Sequence, residues 1–182
     1  MRWPPRGTWR PRKCLPSLKT VSLAALKVLN VAAGLHLLSH FVTFATMTGP
    51  SMLPTLAVEG EIGLEIRWFV RRDPLGNIKR GDIVTVRSPL DPKRLLCKRV
   101  LGLPGDIICV DPTGLKAPST EHVVIPQGHI WIAGDNTANS RDSRTFGPVP
   151  MGLVQSKLVA RIWPPSRFTI FRNPTEYLAY DP

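Results

Sequence analysis

Apolar and polar positions divide the chain into two unlike stretches. Residues 21–47, VSLAALKVLNVAAGLHLLSHFVTFATM, are mostly apolar. After residue 48 the apolar positions come in short runs: EIGLEIR (61–67), DIVTVRS (82–88), LLCKRVLG (95–102), DIICVD (106–111), HVVI (122–125), HIWIA (129–133) and KLVARIW (157–163). Between them lie IKRGD, GLPGD, IPQG, AGDN and WPPS. Short β-prone runs bounded by Gly, Pro and Asp read as strands joined by turns. No long stretch of helical period follows residue 48, so 48–182 is expected to be a mainly β domain. Segments 68–80 and 112–121, where turn-formers and charges cluster, are expected to be exposed insertions.

As one helix, residues 21–47 would run about 40 Å at 1.5 Å per residue, longer than the roughly 30 Å hydrocarbon core of a bilayer. The expectation is a single transmembrane anchor over 21–47, preceded by a basic flank over 1–20 and left uncleaved. Lys27, Asn30, His36 and His40 interrupt the apolar run. His36, Ser39, His40 and Thr43 fall at i, i+3, i+4 and i+7, one polar stripe of the kind that packs against another membrane helix. A helix lying in the interface is the alternative. His36 and His40 have metal-ligand spacing, but no third ligand is in view, so no metal is assigned.

Charge sharpens this division. The net charge of the 182 residues is +11. Residues 1–58 hold seven basic side chains (Arg2, Arg6, Arg10, Arg12, Lys13, Lys19 and Lys27) and no acid, the first being Glu59. The remainder carries 17 basic and 13 acidic groups, so most of the excess belongs to the N-terminal segment. That placement suits a targeting or membrane flank. Without an aromatic-interleaved basic stripe or zinc spacing, nucleic acid is not an expected partner. Three cysteines, Cys14, Cys97 and Cys109, make no disulfide framework. Cys97 and Cys109 sit in strand-like runs and read as small core residues.

The chemistry starts at TGPSMLPTL (48–56), which offers a serine, Ser51, with no histidine or acid beside it. Lys98 lies mid-strand in LLCKRVLG. Period-two alternation puts Leu96, Lys98 and Val100 on one face and Cys97, Arg99 and Leu101 on the other. A lysine with apolar flanks on its own face is a candidate for burial, which favours the neutral amine. A neutral lysine can act as general base to a serine. A lysine snorkelling from a half-buried strand is the alternative. GDNTANSRDSRTFGPVP (134–150) reads as a polar loop, or as a second part of the site: Asp142 and Arg144 are spaced to pair in a tight turn, and Ser140 and Ser143 could orient an amine. Met52 either walls the site or simply packs.

GPSMLPT (49–55), GDIVTVRSP (81–89), KRVLGLPGD (98–106) and GDNTANSRDSRTFGPV (134–149) occur in the order and rough spacing of the type I signal peptidase family, which the chain resembles over most of 48–149. The resemblance implies a β-rich signal-peptidase-like catalytic domain behind a single N-terminal transmembrane helix. It implies a serine endopeptidase with Ser51 as nucleophile, Lys98 as general base, Ser140 orienting the lysine, and Asp142 with Arg144 as a supporting ion pair. Asp135 and Asn136 fall in the matching loop with no direct chemistry assigned. No cofactor is implied. Some relatives place an oxyanion-hole hydroxyl two residues before the nucleophile. Gly49 stands there, so the hole would rest on backbone donors, with Thr48 an open possibility.

SPLDPKRLLCKRVLGLPGD and GPVPMGLVQSKLVARIWP resemble the mitochondrial inner-membrane branch of that family, its first-subunit type more than its second. This implies removal of N-terminal sorting peptides from precursor proteins delivered to the intermembrane space. It also implies a single-pass position in the inner membrane with the catalytic domain facing that space, and a homologous second subunit as partner. A bacterial or plastid signal peptidase and a non-catalytic peptide-binding subunit are the competing readings. A Ser51–His129–Asp135 triad can also be written, but there is no G-x-S-x-G elbow to support it.

Overall fold

A computed structural model describes residues 18–114 and 117–172. It divides into two compact units, residues 1–37 and 38–182. The basic flank over 1–20 lies almost entirely outside the described residues. Helix α1 spans Leu18–Phe41. Strands and short helices follow: β1 (Val42–Met47), β2 (Glu61–Ile66), α2 (Trp68–Arg72), α3 (Pro74–Asn77), β3 (Ile83–Arg87), β4 (Leu95–Gly102), β5 (Ile107–Cys109), β6 (His122–Val124), β7 (His129–Ala133), α4 (Ser143–Phe146), β8 (Val149–Pro150), β9 (Val154–Trp163) and β10 (Thr169–Ile170).

The expected helix over 21–47 is too long. It ends at Phe41, and residues 42–47 pair antiparallel with β2, Val42 opposite Ile66 and Met47 opposite Glu61. Val42, Thr43 and Phe44 are β-branched or aromatic and favour a strand once a partner is present. Thr43 therefore leaves the polar stripe. Leu23, Leu26, Val28, Leu29, Val31, Leu35, Leu37 and Leu38 of α1 are all exposed, and at helical spacing they surround the axis rather than form one face. Among the described residues, no helix is long and apolar enough to cross a membrane. Lys27, Asn30, His36 and His40 dilute the apolar run, and β1 takes its last residues.

The main sheet runs β1-β2-β9-β3-β4-β7-β8, with β10 added to β9, and β5 and β6 form a separate ribbon. All seven runs read as strands from the sequence are strands. The central strand β3 is buried on both faces. Val84 and Val86 join Val70, Ile78, Val100, Ile130, Ile132, Val149, Met151 and Val154 in one core cluster, and Ile83 joins Met47, Met52, Leu56 and Leu158 in another. The 68–80 segment is therefore only partly an exposed insertion. Val70 and Ile78 in it are 2% and 1% exposed, anchoring α2 and α3 to the main core. Near-complete burial of one such aliphatic side chain contributes about 1.5–3 kcal/mol.

Candidate active site

The site forms where the ladder between β4 and β7 opens. Arg99 pairs with Ala133, the last residue of β7, so the next positions in that register are Lys98 and Gly134. There the chain leaves the sheet as the 134–142 loop, making room for the turn that carries Ser51. That turn is a 3-10 turn over Pro50–Met52, entered through Gly49 at φ +101°, a left-handed conformation that favours glycine.

Lys98 is 3% exposed, and its cross-strand neighbour Val84 is fully buried. The expected inward face of β4 is thus the observed one. The Lys98 Nζ lies 2.7 Å from Ser51 Oγ and donates to the Cys97 carbonyl at 3.0 Å. Burial lowers the Lys98 pKa from its ordinary value, outweighing the opposing pull of Cys97, Asp142 and Asp135. A lone pair is therefore available on Nζ at lower pH than on a solvated lysine. Met52 is 2% exposed in the core and also lines the groove, so it both packs and walls the site. The groove, about 410 Å³, runs over Thr48, Gly49, Ser51, Leu96 and Lys98 to Arg94 and Arg141.

Asp142 and Arg144 pair as expected, bidentately, with Nε–Oδ1 2.9 Å and Nη2–Oδ2 2.8 Å. The same carboxylate caps α4 and accepts the Gly134 N–H at 3.0 Å. Burial alone would raise the Asp142 carboxyl, but bonds from Arg144, Gly134 and Ser140 hold it below its usual range. Ser140 is 4% exposed. A Cβ on Gly134 would collide with the Ser140 hydroxyl and the Ser51 carbonyl, so glycine is what lets these two groups approach. Ser143 donates no orienting bond to the amine; its Oγ instead accepts the Ile132 N–H at 3.0 Å.

Five further positions, Arg99, Thr55, Asp135, Asn136 and Arg161, hold the Ser51 turn, a role that the sequence pattern does not assign to them. Arg99, on the opposite face of β4 from Lys98, grips Asp135 with Nε–Oδ1 2.8 Å and Nη2–Oδ2 2.7 Å. Thr55 donates to the same carboxylate at 2.5 Å. Burial would raise Asp135, but Arg99 and Thr55 hold it below the ordinary carboxylate range. The Asn136 N–H donates to the Ser51 carbonyl at 3.0 Å and its Nδ2 to the Pro50 carbonyl at 3.1 Å. The sequence signal is the GDN triplet at 134–136 together with an arginine, Arg99, beside the candidate base. Arg161 closes the far end of the turn through the Thr55 carbonyl and Glu61, both at 3.0 Å.

The His129 triad does not assemble. The His129 ring sits 3.0 Å from the Gln127 carbonyl, while Asp135 is engaged by Arg99 and Thr55. Cys97 and Cys109 are free thiols. Burial, then the Glu65 charge, pushes the Cys97 thiol up to about 12.

A hydroxyl within hydrogen-bond reach of a buried amine, in an open groove, can perform nucleophilic acyl transfer. The family model described as "Signal peptidase, peptidase S26" matches residues 19–117 and 113–163. Mitochondrial inner membrane protease subunit 1 of Schizosaccharomyces pombe is 46% identical over 145 residues, covering 76% of this chain and 85% of its own. Mitochondrial ATP-independent inner membrane protease subunit 1a of Arabidopsis thaliana is 44% identical, covering 76% and 81%. Subunit 2 of the Saccharomyces cerevisiae inner membrane protease is 41% identical, covering 71% and 73%. The two matched segments cover the Ser51 turn, β4 and the 134–149 loop, and with these relatives the chain belongs to the signal peptidase family, peptidase S26, as a serine peptidase of the signal-peptidase type.

Proposed function

We propose that the chain is a membrane-anchored endopeptidase that removes N-terminal sorting peptides from proteins delivered to the mitochondrial intermembrane space, with Ser51 as nucleophile and Lys98 as general base. The observation that carries this reading is the 2.7 Å approach of a buried lysine amine to the Ser51 hydroxyl inside an open groove. The neutral amine accepts the hydroxyl proton as Oγ attacks the scissile carbonyl. Backbone N–H groups stabilise the oxyanion. The ammonium then protonates the leaving amine, and the same base activates the water that clears the acyl-enzyme. Asp142 and Arg144 fix the loop carrying Ser140, and Ser140 orients the amine.

The names of the relatives support a mitochondrial inner-membrane position, and subunits 1 and 2 among them support a heterodimer with a homologous second chain. The apolar girth of α1 supports membrane attachment through that helix. The decisive assay is precursor processing in organelles carrying the full chain, its Ser51→Ala variant or its Lys98→Ala variant. Both variants should leave precursors uncut. Full processing by the Lys98→Ala chain would discard the dyad. Alkaline carbonate extraction separates an embedded α1 from a surface-bound one, and protease protection in intact against opened mitochondria checks the side of the domain.

A further inference from the structure

We infer that Asn136 is the positioning residue of the oxyanion hole, fixing the Pro50–Ser51 peptide so that the Ser51 N–H points at the developing charge. The inference rests on Ser51 being the nucleophile. Few amides in the turn can serve the oxyanion. The Gly49 N–H donates to the Val58 carbonyl at 2.8 Å, and Pro50 has none. Gly49 itself has no side chain to contribute. The Ser51 N–H, on the same residue as the attacking oxygen, is a donor the turn offers.

Its direction is set from behind. The Pro50–Ser51 bond is not among the cis peptides, and in a trans peptide the carbonyl and the following N–H point opposite ways. The Asn136 Nδ2 holds the Pro50 carbonyl at 3.1 Å. The Ser51 N–H therefore points away from Asn136. Gly49, Pro50 and Ser51 line the groove and Asn136 does not, so the side chain braces the peptide from outside the groove. The Asn136 N–H holds the next carbonyl, that of Ser51, at 3.0 Å, and Gly134 leaves space for that oxygen. The Pro50 carbonyl also accepts the Leu53 N–H at 3.3 Å. Two donors on one carbonyl polarise the peptide and strengthen the N–H at its other end.

The test compares the full chain with Asn136→Asp and Asn136→Ala. The aspartate keeps the shape but sets an acceptor against the Pro50 carbonyl; the alanine removes the brace. For both, kcat should fall about tenfold to hundredfold with KM within about twofold, less than the roughly 10²–10³ lost with a whole oxyanion donor. A peptide aldehyde, which forms a tetrahedral adduct, should lose affinity by the same factor. A reduced-amide peptide of the same sequence, which has no carbonyl to become an oxyanion, should bind unchanged. For the uncharged Asn136→Ala variant the acid limb of the pH profile should stay in place. Equal loss of both ligands, or kcat within twofold of wild type, overturns the inference. Ser51→Ala serves as the reference: cleavage surviving there overturns the nucleophile assignment, whereas a dead Ser51→Ala beside a fully active Asn136→Ala overturns the positioning role alone.

Discussion

Lys98 and Arg99 are adjacent cations on β4 with opposite fates. Arg99 turns to one face and meets a carboxylate in a bidentate pair, which raises its pKa. Lys98 turns to the other and receives a hydroxyl and a backbone carbonyl instead, and burial lowers its pKa. A permanently charged group is what a brace needs, because a paired guanidinium holds its geometry at any working pH. A base needs the reverse, a charge that is costly to keep. The acids near Lys98 are each engaged by arginine: Asp135 by Arg99 and Asp142 by Arg144. Neutralising those acids is part of what leaves the amine available.

Making position 98 resemble position 99 should break the contrast most severely. Lys98→Arg should lower kcat/KM at least about a thousandfold on a peptide substrate, since guanidinium does not deprotonate in proteins. The circular dichroism spectrum should remain native.

Titration gives the next largest effect. Below the lowered Lys98 pKa, kcat/KM should fall about tenfold per pH unit as the amine takes up its proton. Stability follows the same sign. Between the lowered folded value and the unfolded value near about 10.4, the unfolded chain holds a proton that the folded chain lacks, so stability rises with pH through that window by up to about 1.4 kcal/mol per unit. Lys98→Met should erase this slope in urea unfolding measured at several pH values. Asp135 and Asp142 add slopes of the same sign at lower pH: their stabilisation is present above the usual carboxylate range and is lost as pH falls through their depressed values.

Gly134→Ala forces a methyl against Ser140 and the Ser51 carbonyl. It should cost about 1–3 kcal/mol in thermal unfolding and lower kcat more than KM, because the clash falls on the Ser51 turn.

The smallest effects compare two arginines. Arg99→Ala strands Asp135, whose side chain is only 16% exposed, and should cost about 1–3 kcal/mol. Arg80 pairs with Asp106 just as closely, Nε–Oδ2 2.7 Å, but is 53% exposed, so Arg80→Ala should cost no more than about 1 kcal/mol. Arg99→Ala should also move the acid limb of kcat/KM to higher pH, because an unneutralised Asp135 raises Lys98. An unmoved limb would detach the brace from the base.

The inward face of Lys98 was legible in the sequence because strand alternation is local. Leu96, Lys98 and Val100 share a face within five residues, and no tertiary knowledge is needed to expect an amine in an apolar setting. The seven strands were legible for the same reason. β1 was not, since no turn residue stands between Phe41 and Val42 to mark where helix gives way to strand; only pairing with β2 decides it. The Arg99–Asp135 brace was hidden because its partners are 36 residues apart and meet only once β4 and β7 are in register. Asn136 was hidden differently: it binds backbone carbonyls, which have no signature in side-chain identities.

Cys97 gives this arrangement a pharmacological edge. Its thiol, pushed up to about 12, stays protonated under physiological conditions and offers alkylating electrophiles no thiolate. One residue along, the amine that burial inclines to neutrality stands beside the Ser51 hydroxyl. Covalent inhibitors should therefore be chosen from acylating warheads rather than thiol-seeking ones, despite a cysteine sitting next to the base.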